Sequence, residues 1–246
     1  GVEKLEALRD LLQEIYHDNN ASELNNILSQ LLQIMQLKHA QEEIEGNCRT
    51  NLWDSTSVVL ITYPDAIYRE GEPTLQTLSE LIDKKVGKLI SIVHILPFLK
   101  STSDGGFAVA SHDSLELRFG NWNDLKKLSK NHLLMADLVL NHVSSSHQWV
   151  QQFIKSKKPG INFILSPSKK SGWDNVIRPR STSLFTTLST EKGPKNVWTT
   201  FGPDQIDLNW KDPYILIEFS KLIVNYFNCG IRWIRLDAVA FIWKEN

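Results

Sequence analysis

The run Gly230-Ile231-Arg232-Trp233-Ile234-Arg235-Leu236-Asp237-Ala238 closes a unit that opens at Asp212-Pro213 and passes through Tyr214–Asn228. Asp212 is a capping residue, Pro213 suits the first helical position where no donor is lost, and Gly230 suits a left-handed helix exit. The spacing predicts a helix over Tyr214–Asn228 followed by a strand over Ile231–Ala238. Alternate residues of a strand share a face, so Arg235 and Asp237 point the same way, with Asp237 at the C-terminal end. A guanidinium there supplies the counter-charge that a carboxylate needs to act as nucleophile or electrostatic stabiliser, although the same spacing also serves a structural ion pair.

Working back along the chain, the same alternation repeats. Strands are predicted over Ser57–Thr62, Leu89–Leu96 and Leu133–Leu140, with helices over Thr74–Val86 and Trp122–Lys130 between them. Alternation of this kind predicts an α/β fold with a parallel sheet and crossover helices. No strand is followed by G-x-G-x-x-G or G-x-x-x-x-G-K, which favours a closed barrel over an open doubly wound sheet. A barrel has about eight strands and only four units are identifiable here, so the expected architecture is the first half of a (β/α)8 TIM barrel in a truncated chain.

Two segments interrupt the alternation. Residues 141–206 are rich in Ser, Pro, Lys and Gly, with Trp149, Phe153, Trp173 and Trp198 distributed through them. So long an insertion after the third strand is expected to be functional or a small subdomain, at the end where a barrel builds its active site. From Val2 to Glu45, Leu5, Leu8, Leu12 and Ile15, then Leu24, Ile27, Leu28, Leu31, Leu32 and Met35, recur at helical spacing around Asp18-Asn19-Asn20. That predicts a helical hairpin that packs and carries no chemistry. The expected organisation is a helical arm over 1–50, three barrel strands over 51–140, the insertion over 141–206, and a helix with the fourth strand over 207–246.

Composition sets outer bounds. The 246 residues are 41% apolar and 22% charged, with 27 basic against 28 acidic side chains and a formal net charge of −1. Such a chain has material for a large core and no overall electrostatic attraction for nucleic acid or an anionic membrane. Its most apolar run, Leu89–Leu99, is broken by His94 and Pro97 and falls short of the roughly 20 residues a membrane span needs. Cys48 and Cys229 lack metal-ligand, redox or disulfide-framework spacing. With no signal-peptide pattern at the start, the expected location is cytoplasmic, and no metal or cofactor is expected.

Three more constellations bear on chemistry. On the third strand, Asp137, Val139 and Asn141 share a face, and His142 begins the loop above it, able to donate to a ligand hydroxyl or simply to satisfy the strand end. After the second strand, Ser103-Asp104-Gly105-Gly106-Phe107 lets the backbone turn tightly, so that Asp104 and Phe107 can face one pocket or serve only as an Asx-type turn. Arg178 and Arg180 flank a rigid Pro179, and guanidinium is matched to phosphate oxygens, though such a pair can also be a solvated surface feature.

Together these residues make a resemblance specific. Asp137–His142 resembles the first sequence region of the α-amylase superfamily (Asp-x-x-x-Asn-His), and Arg235–Ala238 resembles the second (Arg-x-Asp-Ala), in the expected order. Within that superfamily, glycoside hydrolase family 13, the chain is similar to the sucrose phosphorylase group, which includes phosphorylases of glucosylglycerate and glucosylglycerol. The similar stretches include Leu60–Tyr63, Val93–Phe98, Asp104–Phe107, Ile177–Arg180, Trp198–Phe201, Asp204–Asp207 and Ile234–Ala240. The resemblance implies Asp237 as the nucleophile of a retaining enzyme. It implies Arg235, His142 and Asp104 around the glucosyl ring, Phe107 and Phe201 near that ring, Gln205 on the acceptor side, and Arg180 on a loop that reaches phosphate. It further implies an α-glucoside and inorganic phosphate as co-substrates, with glucose 1-phosphate as product. The missing C-terminal half of the enzyme is the implied partner, holding the acid/base Glu and a later stabilising Asp, so the fragment alone is expected to be inactive. Two departures bear on the acceptor: Ala108-Val109-Ala110-Ser111-His112 lacks the Asp-Tyr often found there, and Leu117 stands where Pro usually precedes Arg118. A hydrolase or transglucosidase of the same fold, and a non-catalytic sugar-binding remnant, are the alternative readings.

Overall fold

The computed structural model describes residues 2–35, 53–168, 172–173 and 175–244. Two compact units account for the chain, one formed by residues 1–56 with 211–226 and the other by 57–210 with 227–246.

In the first unit, helices α1 (Val2–Ile15) and α2 (Ala21–Ile34) form the expected hairpin over its described part; residues 36–45 of that expectation, and Cys48, lie outside the described residues. Asn20 caps α2 by accepting from the Glu23 N–H at 2.9 Å, which satisfies one of the orphan donors at the helix start. Most of the predicted apolar stripe is the packing face: Leu12, Leu24, Ile27, Leu28 and Leu31 share a core with Tyr16 and Ile217, whereas Ile15 and Met35 of that stripe are exposed. Burial, joined by the charge of Asp212, pushes the Tyr16 hydroxyl up to about 12.

The second unit is built on four parallel strands in chain order: β1 (Val59–Thr62), β2 (Ile92–Ile95), β3 (Leu133–Val139) and, after the insertion, Ile231–Asp237. All four β2 residues are buried, as a central strand covered on both faces requires. Helices α3 (Thr74–Leu81) and α4 (Trp122–Leu128) fill the crossovers. Each predicted strand and helix of this sheet is present, most with trimmed ends. The helix expected over Thr74–Val86 turns π-helical at Ile82–Val86 and 3₁₀ at Gly87–Leu89, so β2 begins only at Ile92.

The insertion is a set of short pieces. Two antiparallel ribbons pair β4 (His142–Ser144) with β7 (Gln205–Asp207) and β5 (Phe185–Thr190) with β6 (Gly193–Trp198); helices α5 (Gln148–Ile154) and α6 (Gly160–Phe163) lie between β4 and β5. Helix α7 (Tyr214–Asn228) is capped as the sequence predicts, with Asp212 Oδ1 accepting from the Tyr214 N–H at 2.9 Å. Gly230 follows at φ 92°, and any Cβ there would meet Ser129 Oγ at 2.1 Å, so both conformation and space require glycine before β8 (Ile231–Asp237). No helix among the described residues is long and apolar enough to cross a membrane.

Candidate active site

The register of β3 and β8 sets Asp137 beside Arg235 and Val139 beside Asp237, at the C-terminal ends of both strands. One guanidinium nitrogen of Arg235, Nη1, donates to Asp137 Oδ1 and, at 2.9 Å, to Asp237 Oδ1. The second oxygen of Asp137 meets His94 Nε2 of β2 at 2.8 Å, and both of those side chains are buried. Three strands thus contribute to one hydrogen-bonded line, His94–Asp137–Arg235–Asp237, and the hydrogen bond that Arg235 donates to Asp137 leads the causes that raise the Arg235 guanidinium further above its usual range. Asp237 ends that line with its side chain 16% exposed, the most open carboxylate of the two that Arg235 holds.

A second group lies above the same edge. His142 Nε2 is 3.1 Å from Gln205 Nε2 across the β4–β7 ribbon, and Gln205 donates to Asp104 Oδ2 at 2.8 Å. Asp104, Gly105 and Gly106 turn through φ values of 56°, 61° and 101°, and a Cβ at Gly106 would lie 2.7 Å from Pro97. The turn is therefore fixed by close backbone approach, and it presents the exposed Asp104 carboxylate to the ribbon. The Phe201 ring sits 5.2 Å from the His142 ring. Burial pushes the His142 ring below the usual imidazole range, against the charges of Asp207, Asp237 and Asp104 and a hydrogen bond to the Phe107 carbonyl. His142 follows Val139 by three residues, and Val139 pairs with Asp237, so the two groups share one end of the sheet.

Asp204 fastens the loops that carry these residues. It accepts from Thr102 Oγ1 at 2.6 Å, Ser103 Oγ at 2.5 Å and Ser145 Oγ at 2.5 Å, joining the turn before Asp104, the segment after β4 and the residue before Gln205.

Of the residues singled out in the sequence, Asp104, His142, Phe201, Gln205, Arg235 and Asp237 come together, and Phe107 joins through its carbonyl while its side chain is half-buried. Arg180 is exposed, and among the described residues no hydrogen bond or ion pair ties it to the cluster; its neighbour Arg178 donates to Thr182 at 3.0 Å. Sequence reasoning missed Lys244 and Asp207 as participants. Lys244 Nζ reaches Asp207 Oδ2 and Asn141 Oδ1, each at 3.0 Å, beneath His142. Lys244 follows the quoted strand by a turn, and no spacing rule marks it.

This arrangement can hold a polar ring between an exposed carboxylate, an imidazole and an aromatic face, with the Asp237 oxygen set beside a fixed cation. The family model for the alpha amylase catalytic domain matches residues 78–246. A glucosylglycerate phosphorylase of Allomeiothermus silvanus is 42% identical over 193 residues, covering 78% of this chain and 35% of that protein. One from Spirochaeta thermophila is 34% identical over 244 residues, covering 99% of this chain and 42% of that protein. The chain therefore spans well under half the length of these curated relatives. The crystal structure of sucrose 6F-phosphate phosphorylase from Thermoanaerobacter thermosaccharolyticum superposes with a TM-score of 0.72 at 29% identity, over 81% of this chain and 43% of that one.

Proposed function

Since the chain belongs to the alpha-amylase catalytic-domain family, we propose that it is the nucleophile-bearing part of a retaining phosphorylase acting on glucosylglycerate, sucrose or a related α-glucoside. The observation that carries this reading is the shared guanidinium: Arg235 Nη1 sits between a buried Asp137 and the more open Asp237, which leaves one carboxylate as scaffold and the other to react. In the first step an oxygen of Asp237 forms a bond to the anomeric carbon as the bond to the leaving oxygen breaks, and an acid from outside this chain protonates that oxygen. In the second, a phosphate oxygen displaces Asp237 from the same carbon, its proton passing to the conjugate base of that acid, and glucose 1-phosphate leaves with net retention. Asp104 and His142 hold ring hydroxyls, Phe201 and Phe107 border the ring, and Gln205 stands on the acceptor side. The names of the two relatives above favour glucosylglycerate among the substrates.

The test uses the protein that continues this chain through the acid-bearing half of the barrel. Glucosylglycerate or sucrose is supplied with and without phosphate, and glucose 1-phosphate and free glucose are measured. Phosphate-dependent glucose 1-phosphate supports the reading. Free glucose at a rate indifferent to phosphate makes the protein a hydrolase and rejects it. Arg180→Ala is expected to lower phosphorolysis more than hydrolysis, and equal losses in both would remove Arg180 from the phosphate site.

A further inference from the structure

Lys244 is a cation with its side chain only 10% exposed, packed beneath a site whose chemistry needs no charge at that depth. Its ammonium donates to Asn141 Oδ1 at 3.0 Å, to the Phe241 carbonyl at 2.5 Å and to Asp207 Oδ2 at 3.0 Å, while Asp207 itself also takes the Thr200 hydroxyl at 2.5 Å and the Thr200 N–H at 3.1 Å. An ammonium has donors and no acceptor, so the Asn141 amide can present only its oxygen to Lys244. Its NH2 is thereby aimed at His142 Nδ1, 3.2 Å away.

The other ring nitrogen of His142 also faces an NH2, that of Gln205 at 3.1 Å. A neutral imidazole has one lone pair and one N–H, so it can accept from only one of the two amides, and the single N–H that it keeps is also the one that must serve the Phe107 carbonyl. The two are held unequally. Asn141 is fully buried and anchored by a buried cation, so no water can replace that contact; Gln205 is anchored by Asp104, which is exposed and can take water instead. Gln205 is itself buried, and turning its amide gives up the 2.8 Å bond to Asp104, but that carboxylate reaches water, so Gln205 is the amide that yields and offers its oxygen. Burial keeps the ring in the neutral form, where this choice exists.

We propose that Lys244 is a positioning residue: by fixing the Asn141 amide it commits neutral His142 to the Nε2–H tautomer, so that the ring presents a donor toward Asp104 and Gln205. That this donor meets a sugar hydroxyl rests on the function proposed above; the tautomer does not.

The experiment labels the histidines of this chain with 15N and records long-range 1H–15N correlations of the rings at pH 8, with His142 assigned by its loss in His142→Gln. The wild-type ring is expected as Nε2–H. Asn141→Asp, whose carboxylate stays held by Lys244 but has no NH2, is expected to pull the proton to Nδ1. Lys244→Met is expected to give a mixture of tautomers, and Lys244→Arg, again a pure donor, to restore Nε2–H. A wild-type Nδ1–H ring overturns the proposal, and so does an unchanged Nε2–H ring in Lys244→Met. The wild-type spectrum needs no substitution, so a variant that fails to fold still leaves the proposal exposed to refutation.

Discussion

Asp137 and Arg235 are direct neighbours across the β3–β8 pairing, and the guanidinium nitrogen that Asp137 holds also reaches Asp237 at 2.9 Å on its own strand. The buried carboxylate sets the direction of the guanidinium, and the guanidinium sets the position of the more open carboxylate. That order of dependence separates the effects of substituting the two acids.

Asp237→Asn is expected to leave the fold intact. Arg235 is half-exposed and keeps Asp137, and an open ion pair contributes on the order of 0–1 kcal/mol. Thermal melting of the variant should stay within a few degrees of wild type, in line with about 1 kcal/mol. In the longer protein that carries this chain, mass spectrometry should find no glucosyl adduct, because an amide is a poor nucleophile in the same shape. An adduct retained in the variant would move the nucleophile elsewhere.

Asp137→Ala is expected to act on stability first. It strips the partner from buried His94 and from one side of Arg235, and leaving a buried polar group without its hydrogen bond costs about 1–3 kcal/mol. Urea denaturation should show a lower midpoint with an unchanged slope. A midpoint equal to that of wild type would show that Asp137 is dispensable as scaffold.

Much of this is legible in the sequence. Strand parity put Arg235 and Asp237 on one face, and Asp212, Pro213 and Gly230 marked the ends of α7, because those signals are local in the chain. What could not be read is what depends on pairing at a distance. Strand parity puts Asp137 on the right face, but its choice of Arg235 on one side and His94 on the other follows from the register of three strands. Lys244 is marked by no spacing rule, since its two side-chain acceptors, Asn141 and Asp207, are distant in the chain and only the Phe241 carbonyl is local. The trimmed end of α3 has a similar origin. Its apolar period continues past Leu81, while the backbone must loosen into the π and 3₁₀ turns that lead to β2.

Gly106→Ala is expected to disturb the turn that presents Asp104. The residue sits at φ 101°, and a Cβ would come within 2.7 Å of both the Pro97 carbonyl oxygen and its Cβ. Strain and overpacking together should cost roughly 2 kcal/mol. Because the turn can relieve the clash by moving, substrate affinity of the longer protein should fall more than its stability, read as a raised KM. A wild-type KM with a lowered melting temperature would show that the turn holds Asp104 regardless of that strain.

The last prediction concerns pH and a pair of histidines outside the candidate site. His147 Nδ1 accepts from the Trp149 N–H at 3.1 Å, so the neutral ring carries its proton on Nε2 and donates it to His112 Nδ1 at 3.3 Å. Trp149 packs on both rings, at 4.5 and 5.3 Å. Burial pushes His112 down to about 4, and burial together with the charge that His112 would carry pushes His147 down to about 3. In the unfolded chain both titrate near 6.5, so as pH falls below that value the unfolded state takes up protons that the native state refuses. The stabilisation is complete above pH 6.5 and declines as pH falls toward 4, where His112 begins to protonate in the fold. From pH 7.5 to pH 5 the loss attributable to His112 alone is about 2 kcal/mol. His112→Gln keeps an acceptor for His147 and removes the His112 titration, leaving that of His147. Urea midpoints at the two pH values should therefore converge in the variant relative to wild type. The same drop in both proteins would assign the acid sensitivity to other groups, His147 among them, and show that His112 does not control it.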